Sequence, residues 1–371
     1  MLVAGARRYV EERAAARSPQ EAWCEIAGLG WLALPVQESD GGLGGRLCDA
    51  ALLSEELGRG RMQLPYVACG VVPAGLLSAL GSREQRTQHL AGLMCGASRW
   101  TLAHAEAGRA LRPSVACSAR WIGDTWRLHG EKCLIEGGAE ADFFLVSAHA
   151  DDGCGQGLLR LFLVPRDAAG VALRDGTQID GTHVATLVLD GVVLEHLAVL
   201  GEAESPCDAL PCIETAIDRA GALLMAESVG HMRALVAATR EYARERRQFG
   251  KALTDNQVIK HRLVDMAVRA EVAAAAALHA VLVCDAPAVL PANRGRAVSG
   301  ARQTVAQAGR FVAEAAVQVH GAMGMTEELG VGAHLKRLMV LELLWGTTSE
   351  HMALCAEQVL AGRPSPFLGD T

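Results

Sequence analysis

Tyr242-Ala243-Arg244-Glu245-Arg246-Arg247-Gln248-Phe249-Gly250-Lys251 closes a long run of helical period, and its reading decides that of the whole chain. Upstream of it, residues 213–247 carry apolar side chains at helical spacing, which predicts one helix of roughly 50 Å at 1.5 Å per residue. Phe249-Gly250 then stops the helix. The arginines at this stop allow two readings. They form a solvated helix end, where cations meet the negative pole of the helix dipole, or they are planar guanidinium groups suited to gripping phosphate in a bidentate manner.

Working outward, residues 257–283 read as a second helix, 285–294 as a linker with Pro287 and Pro291, 297–320 as a third helix and 333–362 as a final helical segment. Alanine-rich faces let such helices approach closely, as in a four-helix bundle. Between two of them, Gln318-Val319-His320-Gly321-Ala322-Met323-Gly324-Met325 is a glycine break that lets backbone approach a bulky ligand. Before Gly201 the period changes. Short runs at 126–129, 143–148, 159–164 and 185–189, with turn signals at Gly123-Asp124 and Asp175-Gly176, predict a compact antiparallel β-domain resembling a barrel. Residues 6–97 are helical again, with breaks at 28–30, 41–45 and Gly81, and a helix at 49–57 that Gly58 would cap. The expected fold is mainly α with a β-domain in the middle: an N-terminal helical domain (1–99), the β-domain (100–202) and a C-terminal helical bundle (203–371). The tail from Arg363 carries two prolines and is expected to be loosely held.

Composition removes several function classes. The formal net charge of −7 leaves no basic surplus for nucleic acid. There is no apolar leader and no run near the ~18–20 apolar residues of a bilayer span, so a cytoplasmic protein without a membrane role is expected. The 11 cysteines, Cys154 among them, form neither a CxxC pair nor a Cys/His cluster, and read as small hydrophobes in a reducing compartment. No set such as HExxH suggests a metal.

Taken together, the motif order resembles the acyl-CoA dehydrogenase family. Tyr242–Lys251 with Asn256-Gln257, His261-Arg262-Leu263 and Asp265-Met266 is similar to one family signature, and Gln318–Gly324 with Met325-Thr326-Glu327-Glu328 to another. Gly346-Thr347 sits where the family's last helix passes the flavin. Leu29–Pro35 with Gly41–Gly44 resembles the N-terminal domain, and His129-Gly130-Glu131-Lys132, Ala141-Asp142 and 161–170 the middle one. Within the family, His320-Gly321, Met323–Glu328 and Lys336-Arg337 look most like the small subunits of two-component enzymes such as pimeloyl-CoA dehydrogenase. The resemblance implies FAD, an acyl-CoA thioester substrate and α,β-dehydrogenation. A carboxylate would remove the α-proton while hydride leaves the β-carbon. It also implies a dimer or tetramer and an electron-transfer flavoprotein as acceptor. The cofactor-binding residues it assigns are Arg246, Gln248, Phe249, Gln257, Gln318, Gly321, Ala322 and Thr347.

The departures from the pattern are as informative. The glutamate that the family places before Gly-Thr is here Trp345, and the alternative position on the long helix is Ala220. Asp218 lies two residues away and is the remaining candidate base. Glu342, Glu350 and Glu227 read as structural, and so do His320, His351 and the pair Glu327-Glu328. The Glu-Pro-x-x-Gly-Ser-Asp-like run is replaced by Ala105-Glu106-Ala107-Gly108-Arg109-Ala110-Leu111, and the Trp-x-Thr by Leu134-Ile135-Glu136. In the family the flavin lies between two subunits. This chain keeps the elements that reach a neighbour's flavin and lacks those for its own. The expectation is a non-catalytic partner that completes the FAD site of a larger subunit, in an α2β2 assembly. The alternatives are a self-sufficient homomer with Asp218 as base, a flavin oxidase or a non-redox thioester handler using Glu136, and a scaffold without flavin. The acyl group stays open.

Overall fold

The computed structural model describes residues 2–13, 18–108, 115–151, 157–201, 207–286, 289–326 and 328–360. Residues 109–111 of the replaced flavin run, Cys154, Pro287, Glu327 and the tail from Arg363 lie outside them. In chain order the elements are α1 (Leu2–Arg13), α2 (Pro19–Gly28), α3 (Leu47–Arg59), α4 (Val72–Leu80), α5 (Arg83–Met94), β1 (Trp100–Ala103), β2 (Ser118–Ile122), β3 (Thr125–Glu136), β4 (Phe143–Asp151), β5 (Leu159–Pro165), β6 (Val171–Thr177) and β7 (His183–Glu195). They continue with α6 (Leu210–Glu245), β8 (Arg247–Gln248), β9 (Lys251–Ala252), α7 (Gln257–Asp285), α8 (Pro291–His320), α9 (Val331–Leu343) and α10 (Thr348–Leu360).

The chain divides into two compact units. One unites residues 18–46 with 64–220, the other 1–17 and 47–63 with 221–371. In the first unit, helix starts are fixed by capping boxes. Ser18 accepts from the Glu21 N–H and Ser82 from the Gln85 N–H, with each partner side chain reaching back. The buried Gln85 amide also donates to the carbonyls of Leu197 (3.0 Å) and Val199 (2.7 Å), tying α5 to the segment that leaves β7. The seven-stranded sheet runs β1-β4-β2-β3-β7-β6, with β5 also paired to β4. It is mixed and not wholly antiparallel as expected. β1 and β2 both pair parallel with β4, through Phe143–Val146 and His149–Asp151 respectively. The long excursions from β1 and β2 to β4 allow the parallel direction, which a hairpin cannot provide. Gly123-Asp124 does turn β2 into β3, whereas Asp175-Gly176 lies inside β6, paired with Ala185 and Val184.

In the second unit, α6, α7 and α8 pack through small side chains. Ala270, Ala273, Ala277 and Ala280 of α7 are buried, together with Val298, Ala301, Val305 and Val312 of α8. The helix bounds shift from those expected, each for a local reason. α6 ends at Glu245 because Arg247 already pairs with Ala252 in a hairpin. α8 begins at Pro291, which serves as its first residue, so the linker is shorter. The final segment is two helices, broken at Trp345-Gly346, where φ is +58° and +108°. Gly58 is not a cap. It lies inside α3, and a Cβ there would strike the Glu227 carbonyl of α6. Gly230 of α6 meets the Glu55 carbonyl in the same way, so two glycines let the helices cross almost backbone to backbone. α7 also corrects the reading for membrane spans. Its alanines raise mean hydropathy to 1.7 over 18 residues, long and apolar enough by composition to span, though 33% of that window is buried.

Candidate cofactor site

The two signature stretches, distant in sequence, meet in the second unit. The Tyr242 ring near the end of α6 stacks on His320, the last residue of α8, at 4.3 Å. Its hydroxyl donates to the His320 carbonyl at 3.4 Å. His320 is itself held by the Ala316 carbonyl at its Nδ1 (2.8 Å), which gives it a structural role. Beyond Tyr242 the chain forms a two-residue hairpin. Arg247 pairs with Ala252 and Gln248 with Lys251, while Phe249 (φ +52°) and Gly250 (φ +79°) make the turn. Positive φ at both central residues suits the twist of such a hairpin. Glycine takes that conformation freely, and phenylalanine takes it at a cost.

The hairpin presents its side chains outward. Arg246, Arg247, Gln248 and Lys251 are exposed, and Phe249 is 97% exposed. Among the described residues neither Arg246 nor Arg247 has a carboxylate partner. Beside it, Gln318 is exposed on the last turn of α8, and Gly321 ends that helix at φ +61° with open space where a Cβ would stand. Ala322 follows in an exposed helical turn. Guanidinium cations, a planar aromatic face and an open glycine backbone are what a dinucleotide's pyrophosphate and adenine require. These residues fit that group. Gln257 lies at the first turn of α7, exposed, just past the hairpin.

Trp345, Gly346 and Thr347 belong to a different cluster. Arg302 of α8 is buried, and its Nη2 donates to the carbonyls of Leu341 (3.2 Å), Glu342 (3.4 Å), Leu344 (2.6 Å) and Gly346 (3.0 Å). It closes the end of α9 and fixes the left-handed turn at Trp345. Burial lowers its pKa to about 10, so it stays cationic at neutral pH. The next helix starts on a reciprocal cap. Thr347 N–H and Oγ1 donate to Glu350 at 2.6 and 2.9 Å, and Glu350 N–H donates back at 3.2 Å. Glu342 accepts from Arg310 at 3.0 Å and from Thr348 at 3.2 Å. Both carboxylates flanking Trp345 are therefore structural, as is His351, whose Nδ1 bonds Ser299 at 2.9 Å.

Glu227 is likewise engaged. It bonds Arg337 at 2.7 Å and lies 3.7 Å from His231, which shares a 2.7 Å hydrogen bond with His334. Burial alone would raise this carboxyl, but Arg337 and His231 outweigh it and hold the pKa down at about 2. In the first unit, Ala220 and Asp218 are both buried on α6, and Asp218 has polar company of its own. Positions two apart on a helix point to opposite sides, so Asp218 leaves the helix on a different side from Ala220.

The sheet holds a network that sequence reasoning missed. Lys132, fully buried, donates to Glu106 at 2.7 Å, Ser147 Oγ at 3.0 Å and the His104 carbonyl at 3.3 Å. Glu106 also accepts from the N–H groups of Ala116 (2.7 Å) and Cys117 (3.0 Å). Burial pushes its pKa up, and the ammonium and the two N–H groups bring it below the ordinary carboxylate range. The replaced run thus keeps a working anion. The signal was the lysine of Gly130-x-Lys132, since a buried cation requires a partner. Just beyond, β3 bulges between Lys132 and Ile135, turning Leu134 outward at φ +53° and 63% exposed while Glu136 is buried.

A cleft of about 170 Å³ between α8 and α9, lined by Arg310, Leu335, Leu338, Met339 and Glu342, is smaller than the ~300–1000 Å³ of a ligand pocket. It is not a place for a dinucleotide.

Comparison with known proteins agrees with this geometry. The profile of the acyl-CoA dehydrogenase N-terminal domain matches residues 2–97, and that of the C-terminal domain residues 210–360. The probable acyl-CoA dehydrogenase YngJ of Bacillus subtilis (strain 168) is 27% identical over 354 residues, 92% of this chain and 90% of its own length. Among solved structures, a glutaryl-CoA dehydrogenase from Mycobacterium smegmatis in complex with FADH2 superposes with a TM-score of 0.87 at 24% identity, covering 98% of this chain and 95% of its own. The ChsE4-ChsE5 complex from Mycobacterium tuberculosis gives 0.84 at 24% identity, covering 98% and 97%. The chain belongs to the acyl-CoA dehydrogenase family, oxidoreductases acting on acyl-CoA, and its cofactor is FAD.

Proposed function

We propose that this chain is the partner subunit of a heteromeric acyl-CoA dehydrogenase, completing the FAD site of a larger chain that carries the base. The observation that supports this most is the turn at Trp345. The family's usual carboxylate position holds an indole in a left-handed turn fixed by Arg302, and the alternative position holds the buried Ala220. The outward-facing grip supports the same reading. Arg246 and Gln248 would hold the pyrophosphate of a flavin seated on the neighbour, Phe249 the adenine, and Gln318, Gly321 and Ala322 its flank. Thr347, by its place in the family pattern, would stand nearer this chain's own flavin position. Bound FAD supplies the hydride acceptor. The larger subunit's carboxylate takes the α-proton of the thioester, and this chain's residues orient and neutralise. The ChsE4-ChsE5 complex shows that this fold occurs in an assembly named for two chains.

A dimer or α2β2 tetramer, a cytoplasmic location and an electron-transfer flavoprotein as acceptor follow as parts of the same proposal. A likeness to the small subunit of pimeloyl-CoA dehydrogenase fits it too. The second reading, a homomer, rests on Asp218, a buried carboxylate on the right helix. Flavin content separates the two. The chain expressed alone should be colourless, and FAD with dehydrogenase activity should appear on co-expression with a larger dehydrogenase subunit. A lone yellow chain bleached by acyl-CoA would overturn this reading, and loss of bleaching in Asp218→Asn would then locate the base. Reoxidation of that bleached flavin by oxygen would mark an oxidase.

A further inference from the structure

Two imidazoles meet in the second unit behind the flavin grip. His231 of α6 is buried, and its Nδ1 lies 2.7 Å from Nδ1 of His334, on the first turn of α9. The rings cross at 77° with their centroids 5.0 Å apart. Ring nitrogens this close share a single proton, one carrying N–H and the other offering its lone pair. Their neighbours select which. Glu227 Oε1 lies 3.7 Å from Nε2 of His231, so that nitrogen carries the proton facing the carboxylate. His334 therefore donates Nδ1–H to the bare Nδ1 of His231.

Among the described residues, three charged groups face the pair. Glu227 of α6 and Arg337 of α9 neutralise each other at 2.7 Å. Arg61, just past the end of α3, places its guanidinium where a Cβ on Gly330 would stand, and it opposes further positive charge on either ring. Burial holds both imidazoles below their ordinary range, His334 at about 4 units of pH under neutrality or lower, and His231 despite the pull of Glu227. Two imidazolium rings would also set N–H against N–H, so the closed pair has no place for a second added proton.

The turn that carries His334 also supports the grip. His334 N–H closes it on the Gly330 carbonyl at 3.3 Å. Gly332, in the same turn, lies against the Gly324 carbonyl, 3.6 Å from where its Cβ would stand. Gly324 belongs to the short helical turn that begins at Gly321. The start of α9 is thus a wall on which that turn rests.

We infer that His231 and His334 are positioning residues of the flavin site, a proton-sensitive latch that holds the start of α9 against α6 and so keeps the Gly321–Met325 turn in place. The inference goes beyond the functional proposal and does not depend on which subunit supplies the base. The sign follows from the depressed imidazoles. The latch is closed above pH ~6.5 and is weakened as pH falls, because the opened rings take up protons that the closed pair resists.

Amide hydrogen exchange on the full-length chain, corrected for its intrinsic pH dependence, tests the latch. Between pH 7.5 and 5.5, protection at the start of α9 should fall ~10-fold for each proton taken up, and so ~10- to 100-fold in all. H231N/H334N sets an amide oxygen and an amide N–H where the two Nδ1 atoms stood, keeping a hydrogen bond without its titration. Its protection at pH 7.5 should match wild type and should no longer respond to acid. If the double variant does not fold, H334N alone decides, with a smaller acid response than wild type. A wild-type chain without the acid response, a variant with the full response, or an equal loss throughout β4 and β5, which marks global unfolding, would each overturn the inference. Flavin-loaded enzyme gives the second readout. FAD loss, followed by fluorescence of the released flavin, should quicken over the same pH range by a comparable factor in wild type and stay constant in the variant. A latch that opens without quickening FAD loss would overturn the positioning role. The exchange measurement needs neither flavin nor larger subunit, so its outcome stands apart from that of the functional proposal.

Discussion

Phe249 occupies a backbone conformation that costs an L-residue about 1–2 kcal/mol, and its side chain is 97% exposed. A position kept under strain and left exposed serves something outside the chain. Phe249→Gly should therefore leave the melting temperature unchanged or slightly raised, while FAD retained by the assembled enzyme falls by ~10-fold, within the range for loss of one stacked base. Absorbance of the released flavin measures the effect. Glu227 makes the opposite case, a carboxylate whose duty is internal. Its folded pKa of about 2 lies below the ordinary carboxylate 4.5, so its stabilisation is fully present above pH 4.5 and drains away as pH falls toward 2. His334, lowered by burial also to about 2, loses stability in the same direction but from pH 6.5 downward. Denaturant titrations at a series of pH values should show Glu227→Gln less stable at neutrality, because the buried Arg337 loses its 2.7 Å ion pair with Glu227. Below pH 4.5 its decline should be shallower than that of wild type, with the fall between pH 6.5 and 4.5 retained. At this scale the sequence revealed that Trp345 and Ala220 are not carboxylates, because identity is all that question needs. It hid Arg302, since an arginine in a helical run reads as a surface cation until its place on the buried Val298–Ala301–Val305 face is noticed.

Between elements, the most demanding fit is the crossing of α3 and α6. Gly58 and Gly230 each put a hydrogen where a methyl group would meet a carbonyl oxygen. Gly230→Ala should destabilise the fold by about 1–3 kcal/mol despite alanine's better helix propensity, because backbone cannot yield as a side chain can. A substitution at the helical Gly300, with nothing within 4 Å of its Cβ, should raise the melting temperature instead, which makes Gly300→Ala the matched control in thermal unfolding. Helix existence was legible throughout α6 to α10 because apolar period persists over many turns. Boundaries were less so, since they depend on Pro291 acting as a first residue and on a turn fixed by the distant Arg302. The parallel strands were not legible. Alternation fixes which face a strand buries, but the β4 neighbours are chosen by long connections.

For the molecule as a whole, the order of helix, sheet and helix was readable from the changes in period alone, and the family from the order of its motifs. The division into two units was not, because helices α1 and α3 join a body whose other parts lie beyond residue 220. That division has a consequence for synthesis. The seat of α3 on α6 comprises Glu227 and Gly230, roughly 170 residues downstream of the end of α3, so at 5–20 residues per second the ribosome needs about 10–35 s to deliver it. Throughout that interval Leu47, Cys48 and Ala51 lack the C-terminal core they pack against, while residues 64–220 can already collapse around their own sheet. The nascent chain therefore passes through a stage in which an early helix waits, sticky and unsheltered, for its late partner, and a trigger-type chaperone bound at the exit tunnel would find its client there.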